Sequence, residues 1–276
     1  SRNIEHSTHV KEFTIAHISD THIGYEAYKS LSAKGENQRS VDFARAFANA
    51  VDDIIASDPP LVIHSGDVAD RTVIPVRLML FIKQQFARLA GKRKDGSFRQ
   101  VVIVAGNHEL PRNRKEACFL ELLYDMDNVH LATTDYTVID FSSLEAPDEL
   151  QDTVVHCVPH DALKSVDFDR VTPIEGKVNI FSSHGVAGGS ELYVRSLGRE
   201  FHIPTTVLSR DWDYGALGHW HKQGPVVLGK GGGTESKIWY AGSTENCGFG
   251  DLKDNGQERG WLEVGSSKGR LREVNR

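Results

Sequence analysis

Cysteine is scarce in this 276-residue chain: Cys118, Cys157 and Cys247 stand far apart, odd in number and without a CxxC pair. That speaks against a cysteine zinc site and a disulfide framework, and it points to a reducing compartment. With only 9 prolines, 39% hydrophobic and 25% charged residues, the composition is that of a globular protein, and wholesale disorder is excluded. No apolar run approaches the roughly 18 residues of a membrane helix and no signal-peptide pattern opens the chain, so a cytoplasmic location is expected. The leading Ser1-Arg2 reads as a processed end. An excess of positive charge is absent too. The 32 Lys and Arg face 38 Asp and Glu for a net −6, which excludes coating of DNA by bulk charge and leaves room for a local basic patch. What is plentiful is histidine: thirteen, several beside Asp, Asn or Gly at the ends of apolar runs, a pattern that points to metal.

Hydrophobic periodicity alternates through the first half. Strands are expected at 13–19, 61–65 and 100–105, and helices at 37–57, 75–89 and 114–126, with Pro75 suited to a first turn. Strand-helix alternation of this kind builds right-handed βαβ units on a parallel sheet. The second half reads as short strands at 136–141, 153–159, 178–183, 214–217, 225–228, 237–241 and 260–264, with a hairpin tip at 229–233 and a last strand or frayed end at 270–276. The sheet is therefore expected to become mixed and to end in a meander. Nothing reads as a linker, so residues 1–276 are expected to form one domain.

Five motifs fall at the carboxyl ends of expected strands: Asp20-Thr21-His22, Gly66-Asp67-Val68-Ala69-Asp70, Gly106-Asn107-His108-Glu109, His184-Gly185 and Gly218-His219-Trp220-His221. In an open α/β sheet these ends converge on one crevice. Each motif alone is ordinarily a polar loop, an Asx turn or a satisfied histidine. Gly-His-x-His says more, because residues i and i+2 of an extended segment point the same way. Five in order, each after an apolar run, are poorly explained by chance. The donors are carboxylate, imidazole and amide oxygen, with no thiolate offered, a mix suited to Mn²⁺, Fe or Zn²⁺.

As a set, the motifs resemble the signature of the calcineurin-like metallophosphoesterases, D-x-H, G-D-x-x-D, G-N-H-E, a lone H and G-H-x-H, over residues 13–221. A finer likeness is to the DNA-repair nuclease branch typified by bacterial SbcD. It is carried by residues 17–25, by 216–222 and by Tyr240-Ala241-Gly242-Ser243-Thr244 with Phe249-Gly250. The resemblance implies an α/β fold, a four-layer α/β/β/α sandwich of two mixed sheets. It implies a two-metal phosphodiester hydrolase, foremost a DNA nuclease. One divalent ion, Mn²⁺ foremost, would take Asp20, His22, Asp67 and His221, and the second Asp67, Asn107, His184 and His219. Asp67 would bridge through its two oxygens. His108, a non-ligand, would assist the leaving group.

Archaeal and eukaryotic members of that branch carry a His where Asp70 stands, so Asp70 is either a partner of a ligating histidine with a part in catalysis or a helix N-cap. Arg112 and Arg114, with Lys115, would steer a phosphodiester backbone or form the solvated start of a helix. Lys92-Arg93-Lys94 with Arg99 read as a surface loop, and Trp220 as core. The relatives carry a capping domain and dock on an ATP-binding coiled-coil partner of the SbcC type. Here the residues after His221 read as strands, 224–276, without a clear cap or docking segment. Two rivals remain: a small-molecule phosphodiesterase or phosphomonoesterase on the same ions, and a metal-bound recognition or assembly module with little turnover.

Overall fold

The computed structural model describes residues 12–111, 117–189, 201–228, 236–247, 259–267 and 270–274. Their apolar runs form strands buried along their length, as expected where both faces of a sheet are covered. The first sheet contains β1 (Thr14–Ile18), β2 (Leu61–His64), β3 (Gln100–Val104) and β4 (Val129–Ala132), all parallel. Between them run α1 (Gln38–Ser57) and α2 (Val76–Leu89). The Asn37 side chain caps α1 by accepting from the Arg39 and Ser40 N–H groups, and Asp58 ends it in the left-handed region at φ 56°. One stripe of α1 (Phe47, Val51, Ile54) and one of α2 (Leu78, Ile82, Phe86, Leu89) are buried on the sheet.

The second sheet holds β5 (Thr137–Asp140), β6 (Thr153–Val158), β7 (Val178–His184), β10 (Tyr214–Gly218), β11 (Gly224–Pro225) and β12 (Ile238–Tyr240). Its order is β11-β12-β10-β7-β6-β5, with only the two edge strands antiparallel to their neighbours. A two-stranded pair, β8 (Val186–Ala187) and β9 (His202–Ile203), lies beside it. The sheets pack face to face through Ile15, Ile63, Val102, Val155, Ile180 and Ala216. A third core covers the outer face of the second sheet with short 3₁₀ turns and α3 (Thr205–Leu208). The four layers are present, the outer two unequal among the described residues.

Four expectations are corrected. No meander closes the chain: β10 and β12 are parallel neighbours, and β13 (Leu262–Ser267) and β14 (Arg270–Val274) leave for the first sheet, where β13 pairs antiparallel with the open edge of β1. Of the expected helix at 114–126, residues 114–116 lie outside the described residues, and a 3₁₀ turn at Phe119–Leu123 stands in the remainder. Strand β4 escaped notice because its half-buried middle residues break the period of two. Arg99 is no surface residue: it is 1% exposed and bonded to Asp58 Oδ1 at 2.8 Å. No helix among the described residues is long and apolar enough to cross a membrane.

Candidate metal centre

Two adjacent parallel strands deliver the first three candidate ligands, and backbone hydrogen bonds lock their loops together. After β1 and β2, Asp20 N–H donates to Gly66 O (2.9 Å), His22 N–H to Asp67 O (3.0 Å) and Ile23 N–H to Val68 O (2.9 Å). Asp20, His22, Asp67 and His219 all have positive φ, at 51°, 42°, 54° and 108°. Left-handed backbone at non-glycine residues costs roughly 1–3 kcal/mol each and gathers at functional sites. Gly106 is required by close approach, since a Cβ there would overlap the Asp67 carboxylate.

Histidines from the second sheet meet these loops. His22 Nε2 and His221 Nε2 are 3.0 Å apart, and Asp20 Oδ1 lies 3.7 and 3.8 Å from them. Asn107 Oδ1 sits between His184 Nε2 (3.0 Å) and His219 Nδ1 (3.3 Å). Asp67 joins the two groups, with Oδ2 3.3 Å from His184 Nε2 and 3.7 Å from His22 Nε2. Its Oδ1 accepts the His108 N–H at 3.0 Å, and the two short approaches to the histidines are both made by Oδ2. His184 Nδ1–H donates to Ser65 O at 2.8 Å, which leaves the Nε2 lone pair turned inward.

Donors held about 2.0–2.2 Å from one ion lie roughly 3.0–3.5 Å from each other, and the closest separations here fall in that range. Asp20 Oδ1 is buried with no hydrogen-bond partner. An unsatisfied buried carboxylate oxygen among converging imidazoles is what a cation would complete. The residues present therefore fit the implied pair of ions.

The electrostatics agree. Burial opposes charge on His22, but the Asp20 and Asp70 carboxylates overcome it and hold the ring up at about 10; His184, likewise buried, is held at about 9 by Asp67. Burial also opposes the Asp67 anion, yet His184, His22 and His108 keep it well below the carboxylate range. Bare, the cluster balances anions with imidazolium protons, and a metal ion must displace those protons to bind.

His108 lies beside the cluster, half-exposed, with Nε2 3.9 Å from Asp67 Oδ2 and Nδ1–H donating to the Asp70 carbonyl. The Asp70 carboxylate is 3.3 Å from His22 Nδ1, and the following helix begins only at Val76. Trp220 is half-buried, its ring 5.8 Å from that of Tyr240. Arg112, Arg114 and Lys115, as well as the 229–233 tip and Phe249-Gly250, lie outside the described residues.

Two residues were overlooked. Glu109, wholly buried, accepts N–H bonds from Gly106 (2.7 Å), Asp67 and Ala69 (both 3.2 Å), so one carboxylate ties the Asn107 loop to the Asp67 loop. Burial, with Asp67 nearby, pushes it up to about 7. Its place in the Asn107 motif was the available signal. The other is Cys247, whose sulfur and ring nitrogens of His22 and His221 lie within 4.8 Å of one another. The five motifs offer no thiolate, and nothing in a lone cysteine 26 residues past His221 marks it.

The family model for calcineurin-like phosphoesterase matches residues 13–223. The chain belongs to that family. Calcineurin-like phosphoesterases are dinuclear metal-dependent hydrolases of phosphoester bonds, and the clustered Asp and His groups here agree with that. The DNA double-strand break repair protein Mre11 of Methanocaldococcus jannaschii is 34% identical over 109 residues, 40% of this chain and 27% of that protein. Its namesake in Thermoplasma acidophilum is 24% identical over 263 residues, 90% of this chain and 59% of that protein. This calcineurin-like phosphoesterase thus spans less than two thirds of the curated relatives it matches. Among solved structures, purple acid phosphatase PPD1 from yellow lupin (Lupinus luteus) seeds has a TM-score of 0.49 and 13% identity, over 93% of this chain and 49% of that one.

Proposed function

We propose that this chain is a two-metal phosphodiesterase that cleaves DNA, of the SbcD-like repair-nuclease type. The observation that carries the reading is Asp67 Oδ2 lying between His184 at 3.3 Å and His22 at 3.7 Å, one carboxylate shared by two donor groups. Asp20, His22, Asp67 and His221 would hold one ion, and Asp67, Asn107, His184 and His219 the other, Mn²⁺ foremost. Such a pair, when bound, lowers the pKa of a water and neutralises charge on the phosphoryl oxygens. The chain's own residues do the rest. Glu109 fixes the spacing of the two loops, and Asp70 orients the His22 ring. The Asp70 carbonyl takes the His108 Nδ1–H, which leaves Nε2 as the atom that carries a proton to the leaving oxygen.

DNA as the substrate is supported by the Mre11 relatives and by the nuclease-branch motifs. A single domain, a coiled-coil ATP-binding partner and a cytoplasmic location belong to the same proposal. Parallel assays with Mn²⁺ on linear DNA, a chromogenic phosphodiester and a phosphomonoester decide among the readings. Cleavage of DNA is expected. Turnover of the small esters alone would make it a small-molecule phosphoesterase, and turnover of none a recognition module. Neutralising Arg112 and Arg114 together should flatten the salt dependence of DNA binding by about two units while sparing the small diester.

A further inference from the structure

We propose that Cys247 supplies a sulfur donor to the ion held by Asp20, His22 and His221, which makes the two halves of the centre chemically unequal. The inference rests on the metal-dependent reading above and adds a ligand to it. The sulfur and a ring nitrogen from each of His22 and His221 lie within 4.8 Å of one another. Asp20 Oδ1, buried and without a hydrogen-bond partner, faces the same nitrogens at 3.7 and 3.8 Å. The two imidazoles are thus shared neighbours of an oxygen that the protein leaves without a hydrogen bond and of the thiol.

The loop that carries the thiol is built onto the centre. Ser243 N–H donates to His221 O at 3.0 Å, and Arg259 Nη1 donates to the same carbonyl (2.8 Å) and to Ser243 Oγ (2.7 Å). From the other side, Arg39 of α1 donates to Asn246 O at 2.6 Å. One guanidinium thus holds the Ser243 side chain and the other the Asn246 carbonyl, on either side of Glu245, whose carbonyl accepts the Cys247 S–H at 3.8 Å. A surface thiol without a role needs no such anchoring.

On binding, the thiol proton leaves to solvent and the thiolate becomes a ligand. Sulfur favours Zn²⁺, Fe or Co²⁺ over Mn²⁺. The Asn107–His184–His219 side keeps only nitrogen and oxygen donors and stays suited to Mn²⁺. Two different ions are thus the preferred occupants.

The test is spectroscopic. The metal-free full chain is titrated with Co²⁺, and bound metal is counted alongside. Wild-type protein should develop near-ultraviolet thiolate-to-cobalt charge-transfer absorption, and Cys247→Ser should not. In the wild type, metal should slow alkylation of Cys247 by iodoacetamide at least about tenfold; Cys118 and Cys157 are buried and serve as internal controls. This arm holds even where the variant folds poorly. Two bound ions with no thiolate band, with a band that survives in a folded Cys247→Ser, or with unprotected Cys247 would overturn the sulfur ligand while leaving the phosphoesterase reading in place. Failure to bind any ion would overturn both.

Discussion

The two ends of the first sheet bury charge in opposite ways. At the amino end, Arg99 is 1% exposed and every arm of its guanidinium is used: Nε donates to Pro59 O (2.9 Å), Nη1 to Leu89 O (3.1 Å) and Nη2 to Asp58 Oδ1 (2.8 Å). At the carboxyl end, Asp20 and Asp67 are as deeply buried, on strained backbone, and Asp20 Oδ1 is left without a hydrogen-bond partner. A buried ion pair whose hydrogen bonds close on the protein is part of the scaffold. One whose lone pairs converge on a point the protein does not fill is arranged for something that arrives from outside. Burial of charge alone does not distinguish them; closure of the hydrogen-bond inventory does.

Substitutions at the two ends should separate accordingly. Asp67→Asn should abolish metal-dependent hydrolysis and lower bound metal below two ions per chain, because one carboxylate serves both groups; activity with Mn²⁺ and metal counting check it. Arg99→Met should do the reverse and cost about 3 kcal/mol in stability, since it leaves Asp58 Oδ1 and two backbone carbonyls without their donor. Denaturant unfolding measures that loss, and the folded fraction should keep its metal and its rate. An equal loss of metal from both variants would dissolve the distinction.

His108→Ala should lower the rate at least about 10²-fold with both ions retained, the usual worth of a positioned acid. Loss of metal from that variant would move His108 among the ligands.

The smallest effect concerns histidines that belong to neither group. His17 is bonded at both ring nitrogens, to Tyr214 Oη and Ser65 Oγ, each at 2.8 Å. Burial, aided by the nearby His64, lowers it to about 3. In the unfolded chain it titrates near 6.5. Below that pH the unfolded state binds the extra proton, so the stability His17 contributes is complete above about 6.5 and drains away as the pH falls towards 3. In chelator, the melting temperature should therefore fall between pH 6.5 and 4, and His17→Gln should flatten that slope. An unchanged slope would assign acid sensitivity to His64, His160 or other groups.

Thirteen histidines pointed to metal, yet His17, His64 and His156 are buried among ordinary hydrogen-bond partners. What separates them from His184 and His219 in the sequence is an adjacent glycine, Gly185 or Gly218, since His64 too ends a strand. That is a local feature, which is why the five motifs were legible. The alternation of β1, α1, β2, α2 and β3 was legible for the same reason, since apolar period and cap residues act within a few residues of chain.

Strand partners were not legible. That β13 crosses back to β1 and that β10 lies against β12 depend on which sheet edge is open once the chain has folded. The same holds for Glu109, whose three N–H donors come from two loops, and for Arg99, whose burial depends on the carbonyls of Pro59 and Leu89 closing around it. Sequence by itself determined the family, the elements from β1 to β3 and which histidines and carboxylates are candidates, because those follow from residue type and short spacing. Only the tertiary structure decided that Asp67 lies between the two donor groups and that a cysteine near the end of the chain stands beside His22. Such distances between side chains are set by the packing of two sheets, and no spacing along the chain encodes them.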